Sequence, residues 1–195
     1  MNIKGVTNID YFSKGKRGII YTGVYKKKKV GIKTKNPDSK ATNRIQNEAK
    51  FLKLLNKHNI GPRFIKGTKT YVMYEFVEGD LLKDELQTMT KTQLKTLLKK
   101  MLKQCYQLDT LGINKEELHR PHKHIILTKK GPVQLDFERC HFSEKMHNVT
   151  QFLQFIRSLD TLTISEDKIK RIAKEYLKNL NLRKIALLFE KNTKL

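Results

Sequence analysis

Glu48 is the residue that most narrows what this chain can fold into. Helical spacing over about residues 42–57 puts it one turn from Ile45 and one turn from Leu52, on the face that must be buried. An unpaired carboxylate there costs several kcal/mol, so Glu48 needs a cation. Lys33 lies 15 residues upstream, at the end of the preceding strand, and is the natural partner. A third costly charge, Asp136, stands between Leu135 and Phe137 in an apolar segment.

The rest of the chain sorts into a β-rich beginning and a helical remainder. Residues 19–25 and 29–34 read as two strands joined by a turn at Lys26-Lys27-Lys28. In the second strand Val30 and Ile32 share one face, while Gly31 and Lys33 share the other. Residues 71–77 and 133–137 read as further strands. Thr90 with Gln93 spells a capping box, followed by Leu94, Leu97, Leu98, Met101, Leu102, Cys105 and Leu108 at helical spacing. Thr163 with Glu166 spells a second box, opening a helix whose apolar stripe is Ile169, Ile172, Ala173, Tyr176, Leu177 and Leu180. The expected architecture is α+β: a β-rich N-terminal lobe at 1–77, a helical C-terminal lobe at 78–195 and a cleft between them.

Charge sets the class of partner. The 195 residues carry 41 Lys+Arg against 19 Asp+Glu, a formal net charge of +22, which attracts polyanions. Nucleic acid is the expected partner. An acidic membrane surface is the rival, but no densely basic amphipathic helix stands alone at either terminus. No run of 18 apolar residues is present to span a bilayer. The first residues lack the apolar core of a secretory signal, so the expected compartment is cytoplasmic. Cys105 and Cys140 form neither a disulfide framework nor a Cys-x-x-Cys metal site.

A glycine-bearing turn, Lys14-Gly15-Lys16-Arg17-Gly18, precedes the first strand of the pair, and glycine permits close backbone approach to phosphate. Taken in order, the glycine turn, the strand lysine, the helix glutamate, the strand 71–77 and the Asp-Phe segment resemble the protein-kinase fold over about residues 13–160. The resemblance implies a minimal kinase-like fold, one kinase-like domain overall, with a nucleotide cleft between its lobes. Gly15 and Gly18 would cover phosphates, and Val30-Gly31-Ile32-Lys33 looks like the family's Val-Ala-Ile-Lys strand. Glu48 would orient Lys33. Tyr74 to Gly79 is similar to the hinge, with the backbone of Glu75 and Val77 facing adenine. Leu135-Asp136-Phe137-Glu138 looks like the Asp-Phe-Gly segment, with Glu in place of Gly. In that logic lysine holds the α- and β-phosphates of ATP or another nucleoside triphosphate, and Asp136 holds Mg²⁺.

The catalytic loop departs from the family pattern. A literal match at His119-Arg120 would put Pro121 where the family has Asp and Ile126 where it has Asn. Aligning the apolar run Ile125-Ile126-Leu127 instead puts His119 at the base position and His124 at the metal-ligand position. Histidine can act as a base near neutral pH. His124 suits Mg²⁺ less well, because that ion prefers oxygen; contact with phosphate or with Asp136 is the other role open to it. Glu116 and Glu117 are nearby carboxylates. The spacing His119-x-x-His122-x-His124, even with Cys140 and His141, fits no standard zinc pattern.

The 59 residues after Asp136 include no Ala-Pro-Glu segment and no long activation loop. This shortness resembles the minimal atypical kinases of archaea. The segment 111–117 with His119, Pro121, Lys123-His124 and 135–139 resembles a small archaeal family first labelled as predicted Ser/Thr kinases, one branch of which phosphorylates a ribose 2′-hydroxyl in tRNA and stabilises it against heat. That resemblance implies phosphoryl transfer from ATP to structured RNA; a monomer is one state open to the protein, which the sequence does not fix. Lys14, Lys16 and Arg17 at the cleft and Lys170, Arg171 and Lys174 on the last helix are the expected RNA contacts, along with the turn at Lys26 to Lys29. A protein Ser/Thr kinase and a non-catalytic RNA-binding pseudokinase are the alternatives.

Overall fold

The computed structural model describes residues 1–159, 161, 162, 164–181 and 185. It is a mixed α+β protein with a β-rich N-terminal sheet and helices in its C-terminal part, and it divides into two compact units. The first comprises Met1–Gly79 together with Val133–Cys140, and the second comprises Asp80–Pro132 and the residues from His141 onward. The sequence division at 77/78 left the Asp136 segment with the helices; the structure groups it with the sheet, because its side chains bind there.

The first unit is built on strands β1 (Val6–Lys14), β2 (Gly18–Tyr25), β3 (Lys28–Lys35), β4 (Phe64–Gly67) and β5 (Tyr71–Glu75), with helix α1 (Arg44–Leu55) between β3 and β4. The sheet order is β1-β2-β3-β5-β4, antiparallel throughout. The alternation in β3 is as the sequence implies. Val30 and Ile32 join Ile3 and Met73 in one core cluster, while Gly31 and Lys33 are buried on the opposite face. Helix α1 buries Ile45, Glu48, Phe51, Leu52 and Leu55, so Glu48 does occupy the apolar stripe.

Sequence reasoning missed two strands here. Strand β1 exposes most of its residues and its register shifts between Thr7 and Asp10 and again between Tyr11 and Ser13, which erases the two-residue period. Strand β4 is only four residues long. One predicted strand is displaced: 133–137 is observed as Gly131–Gln134, and Asp136 follows it in left-handed backbone, φ 63°. Asp is among the few residues that enter that region readily.

The second unit opens with the two-residue strand β6 (Asp80–Leu81) and the short helix α2 (Leu82–Glu85). Helix α3 (Lys91–Thr110) starts at the predicted capping box, with the Thr90 side chain accepting from Gln93 N and the Gln93 side chain accepting from Thr90 N. All seven residues of its expected apolar stripe are buried. Then come β7 (Ile113–Asn114), β8 (Ile125–Thr128), β9 (Gly131–Gln134), whose last two residues are grouped with the first unit, β10 (His141–Phe142), α4 (Asn148–Arg157) and α5 (Glu166–Asn179). Strands β6, β8 and β9 form a small sheet in that order, and β7 pairs with β10. Thr163 lies outside the described residues; Ser165 caps α5, its side chain accepting from Lys168 N. Ile169, Ile172 and Tyr176 are buried as expected, but Leu177 and Leu180 are exposed, the latter in left-handed backbone past the last turn. Among the described residues no helix is long and apolar enough to cross a membrane.

Candidate functional site

The first unit gathers Lys33, Glu48 and Asp136 around one atom. Lys33 reaches down from β3, and its Nζ lies 2.6 Å from Glu48 Oε2 and 3.0 Å from Asp136 Oδ1. A third carboxylate completes the ring: Glu138 Oε2 is also 3.0 Å from Nζ. The three acids come from different places, one from α1 and two from the segment after β9, and their ligand oxygens lie within 4.8 Å of one another. The left-handed turn at Asp136 is what breaks the strand and lets both Asp136 and Glu138 face Lys33.

Electrostatics follow from burial. Removal of Lys33 from water would by itself lower its pKa, but Glu48, Asp136 and Glu138 together more than offset this, and the pKa stands well above the ordinary lysine value. Glu48 feels the reverse balance: burial raises its pKa, Lys33 pulls it back, Asp136 and Glu138 push it up again, and the net direction is upward. Tyr74 on β5 is buried beside the same groups, and burial first, then the Glu48 charge, drives its hydroxyl pKa upward.

Two glycines make room for this arrangement. A side chain at Gly18 would meet Lys33 Cε at 2.8 Å and Thr34 O at 3.1 Å, so Gly18 is needed for the lysine to pass. At Gly31 a Cβ would strike the Tyr74 ring at 2.6 Å. Gly15 is different: a Cβ there would meet only Gly18 O, at 3.5 Å, so packing does not demand glycine. The turn itself is closed by Gly15 N donating to Gly18 O at 2.8 Å. Asn36, buried just beyond β3, staples it by donating Nδ2 to Gly15 O at 3.1 Å and to Lys16 O at 3.3 Å, and N to Arg17 O at 2.9 Å.

The expected hinge lies at the end of β5. Glu75 N donates to Arg63 O and Phe76 N to Lys29 O, so those two donors are already engaged, and Val77 follows half-buried. Phe12 meets Phe76 edge-to-face at 5.3 Å, and Lys29 Nζ lies 4.2 Å from the Phe76 ring centre. Phe12 is 56% exposed, an aromatic ring left largely in water.

The candidate histidines His119, His122 and His124 belong to the second unit. His119 sits exposed on a turn between β7 and β8. His124 is half-buried, with Nε2 3.7 Å from Glu117 Oε2, and His141 Nδ1 is 4.0 Å from Glu116 Oε1. Burial and the neighbouring Lys123 and Arg120 lower the His122 pKa. Asp136 and His124, paired as metal ligands by the resemblance, thus fall in different units.

Of the expected RNA contacts, several already hold acids. Lys14 pairs with Asp38 at 2.7 Å, Arg17 with Glu138 at 3.4 Å and Lys170 with Glu166 at 2.9 Å, while Lys16, Arg171 and Lys174 are exposed. Sequence reasoning assigned no role to Glu138 or Asn36. The signal for Glu138 was present: a second acid two residues beyond Asp136, in a segment otherwise packed inward.

No known protein-family model matches this sequence, and no curated protein matches it.

Proposed function

We propose that the protein is an ATP-dependent kinase that transfers the γ-phosphoryl group to a hydroxyl of structured RNA, with a tRNA ribose 2′-hydroxyl as the acceptor that the family resemblance implies. One observation carries the kinase reading: Lys33 Nζ within 3.0 Å of both Glu48 and Asp136. A lysine oriented by a helix glutamate beside an aspartate is the arrangement phosphoryl-transfer enzymes use to hold α- and β-phosphates and their metal.

The donor set suits the metal. Asp136 and Glu138 offer carboxylate oxygens, which a hard ion such as Mg²⁺ favours, and the Asp136 side chain is 31% exposed. Mg²⁺, when bound, neutralises phosphate charge. Lys33 then holds the α- and β-phosphates, Glu48 keeps the ammonium aimed, and the turn at Gly15 to Gly18 covers them. The nucleobase is assigned to the backbone of Glu75 and Val77, with Phe12 and Phe76 as apolar surface beside it. In transfer the acceptor oxygen forms a bond to the γ-phosphorus as the bond to the β,γ-bridging oxygen breaks. ADP leaves, and the acceptor proton passes to a base, the role assigned to His119. Positioning and charge neutralisation supply most of the rate, and a general base adds about 10²–10⁴-fold.

The charge balance supports RNA over a peptide as acceptor, because each phosphate met by Lys or Arg releases a counterion. Incubation with γ-labelled ATP and either bulk tRNA or protein tests this. Label in tRNA that survives protease is the expected result. Label confined to polypeptide means a protein kinase instead. ATP binding without transfer means a pseudokinase, an outcome favoured by the absence of the family's Asp and Asn from the segment 119–126.

A further inference from the structure

Glu138 occupies the position where the kinase pattern has glycine, yet it is among the most deeply buried charges of the first unit, 3% exposed. Its backbone is bolted to α1: the carbonyl accepts from Arg44 Nη1 at 3.3 Å and from Asn47 Nδ2 at 2.9 Å, and Asn47 also donates to Cys140 O at 2.9 Å. Its backbone is therefore anchored, while its carboxylate bridges two cations. One oxygen meets Lys33 Nζ at 3.0 Å, the other meets Arg17 Nη1 of the glycine turn at 3.4 Å.

An ammonium has three N–H donors, and Lys33 already has three carboxylates at 2.6 to 3.0 Å. A triphosphate that approaches Lys33 competes with these three acids for the ammonium. Glu48 makes the shortest contact, from inside the helix stripe, and Asp136 is the acid the metal requires. Glu138 alone of the three also holds Arg17, so its release frees two cations at once. Charge points the same way: a phosphate oxygen approaching Lys33 meets the carboxylates of Asp136 and Glu138, and like charges repel.

From this geometry we propose that Glu138 is a positioning residue, a latch that holds Lys33 and Arg17 in the nucleotide-free protein and makes triphosphate binding conditional on a divalent cation. The proposal rests on the kinase reading above. When the metal complex of ATP enters, its phosphates take over Lys33 and Arg17, and the cation compensates Glu138.

The test is Glu138→Gln, which keeps shape and removes the charge. ATP binding is measured by calorimetry with and without Mg²⁺, and the Lys33 amine is mapped by mass spectrometry after brief acylation with no nucleotide present. The variant is expected to bind metal-free ATP about tenfold more tightly than wild type, with the gain from Mg²⁺ reduced by the same factor. Its Lys33 should acylate several-fold faster, whereas a merely structural role would leave the metal dependence unmoved. Unchanged or weaker metal-free binding in a folded variant overturns the latch. Should Glu138→Gln fail to fold, Arg17→Met gives the opposite sign: Glu138 loses a counter-ion, metal-free ATP binds more weakly and the Mg²⁺ gain grows; an unchanged Mg²⁺ gain overturns the latch. If wild type binds no ATP under either condition, the kinase reading fails and the latch with it, while faster Lys33 acylation would still establish the ion pair. If ATP binds and acylation is unchanged, only the latch fails.

Discussion

Both units bury an acid-centred polar cluster, and the two are satisfied in opposite ways. In the second unit Asp109 of α3 accepts from Asn148 N at 3.0 Å, Asn148 Nδ2 at 2.6 Å, Val149 N at 3.2 Å and the Tyr176 hydroxyl at 2.7 Å. Those are neutral donors, two of them backbone groups in the first turn of α4, where a negative charge also suits the helix dipole. Burial and the bond to Asp109 together drive the Tyr176 pKa upward, so the hydroxyl stays a donor. In the first unit the acids meet a cation, outnumber it, and include a residue in left-handed backbone. An acid held by fixed neutral donors has nothing to exchange with a ligand. A cation shared among three acids can trade one of them for a phosphate. The Asp109 cluster is therefore read as a fastener between helices and the Lys33 cluster as a working site.

The sharpest way to break this contrast is to remove the central cation. Lys33→Met should cost about 3–5 kcal/mol, because it strands buried carboxylates. Its pH dependence is distinctive. With the lysine gone Glu48 loses the charge that pulls its raised pKa back, so the folded state binds more protons than the unfolded one, and stability falls as pH rises above the ordinary carboxylate range. In the wild type the Lys33 pKa is raised, so its contribution is complete below 10.5 and is lost only as pH climbs through the higher folded value. Thermal unfolding of the variant between about pH 5 and 8, and of the wild type to above pH 10.5, checks both signs, and a variant as stable at pH 8 as at pH 5 would refute the balance.

Asp136→Asn separates function from fold. Transfer should fall by about 10³-fold with the unfolding temperature little changed, since the residue is partly exposed. Asp109→Ala should do the reverse, costing about 3 kcal/mol through unsatisfied helix donors while leaving the transfer rate of the folded fraction near wild type. Equal effects of the two variants on rate would erase the distinction.

The smallest effect is expected at the β2–β3 turn. Lys26 and Lys27 both have positive φ, 49° and 63°, where Asn-Gly is the favoured pair. Replacing them with Asn-Gly should stabilise the fold by about 1 kcal/mol, by relieving the cost of left-handed backbone at lysine. It should also lower the slope of log affinity for tRNA against log salt by about 1 to 2. A gain in stability with no change in slope would remove this turn from the RNA contacts.

What could be read from the sequence was whatever depended on local spacing. Glu48 betrayed itself as a charge on an apolar stripe, Lys33 as a charge mid-strand, and Thr90 with Gln93 as a helix start. What could not be read depended on residues meeting across long separations. Glu138 acquires its role only by meeting Arg17 and Lys33, and Asn36 only by folding back on the glycine turn. Asp136 was found by its motif, but its left-handed backbone was not, because alternation in 133–137 imitates a strand that ends at Gln134. The pairing of Arg17 with Glu138, 121 residues away, was likewise not legible in the sequence.

Mass spectrometry of tRNA nucleosides after incubation with purified protein, ATP and Mg²⁺ tests the central claim most directly. Wild type should yield a ribose-phosphorylated nucleoside that Lys33→Met and Asp136→Asn do not produce. An undiminished yield from Asp136→Asn, or unmodified tRNA from wild-type protein, would contradict it.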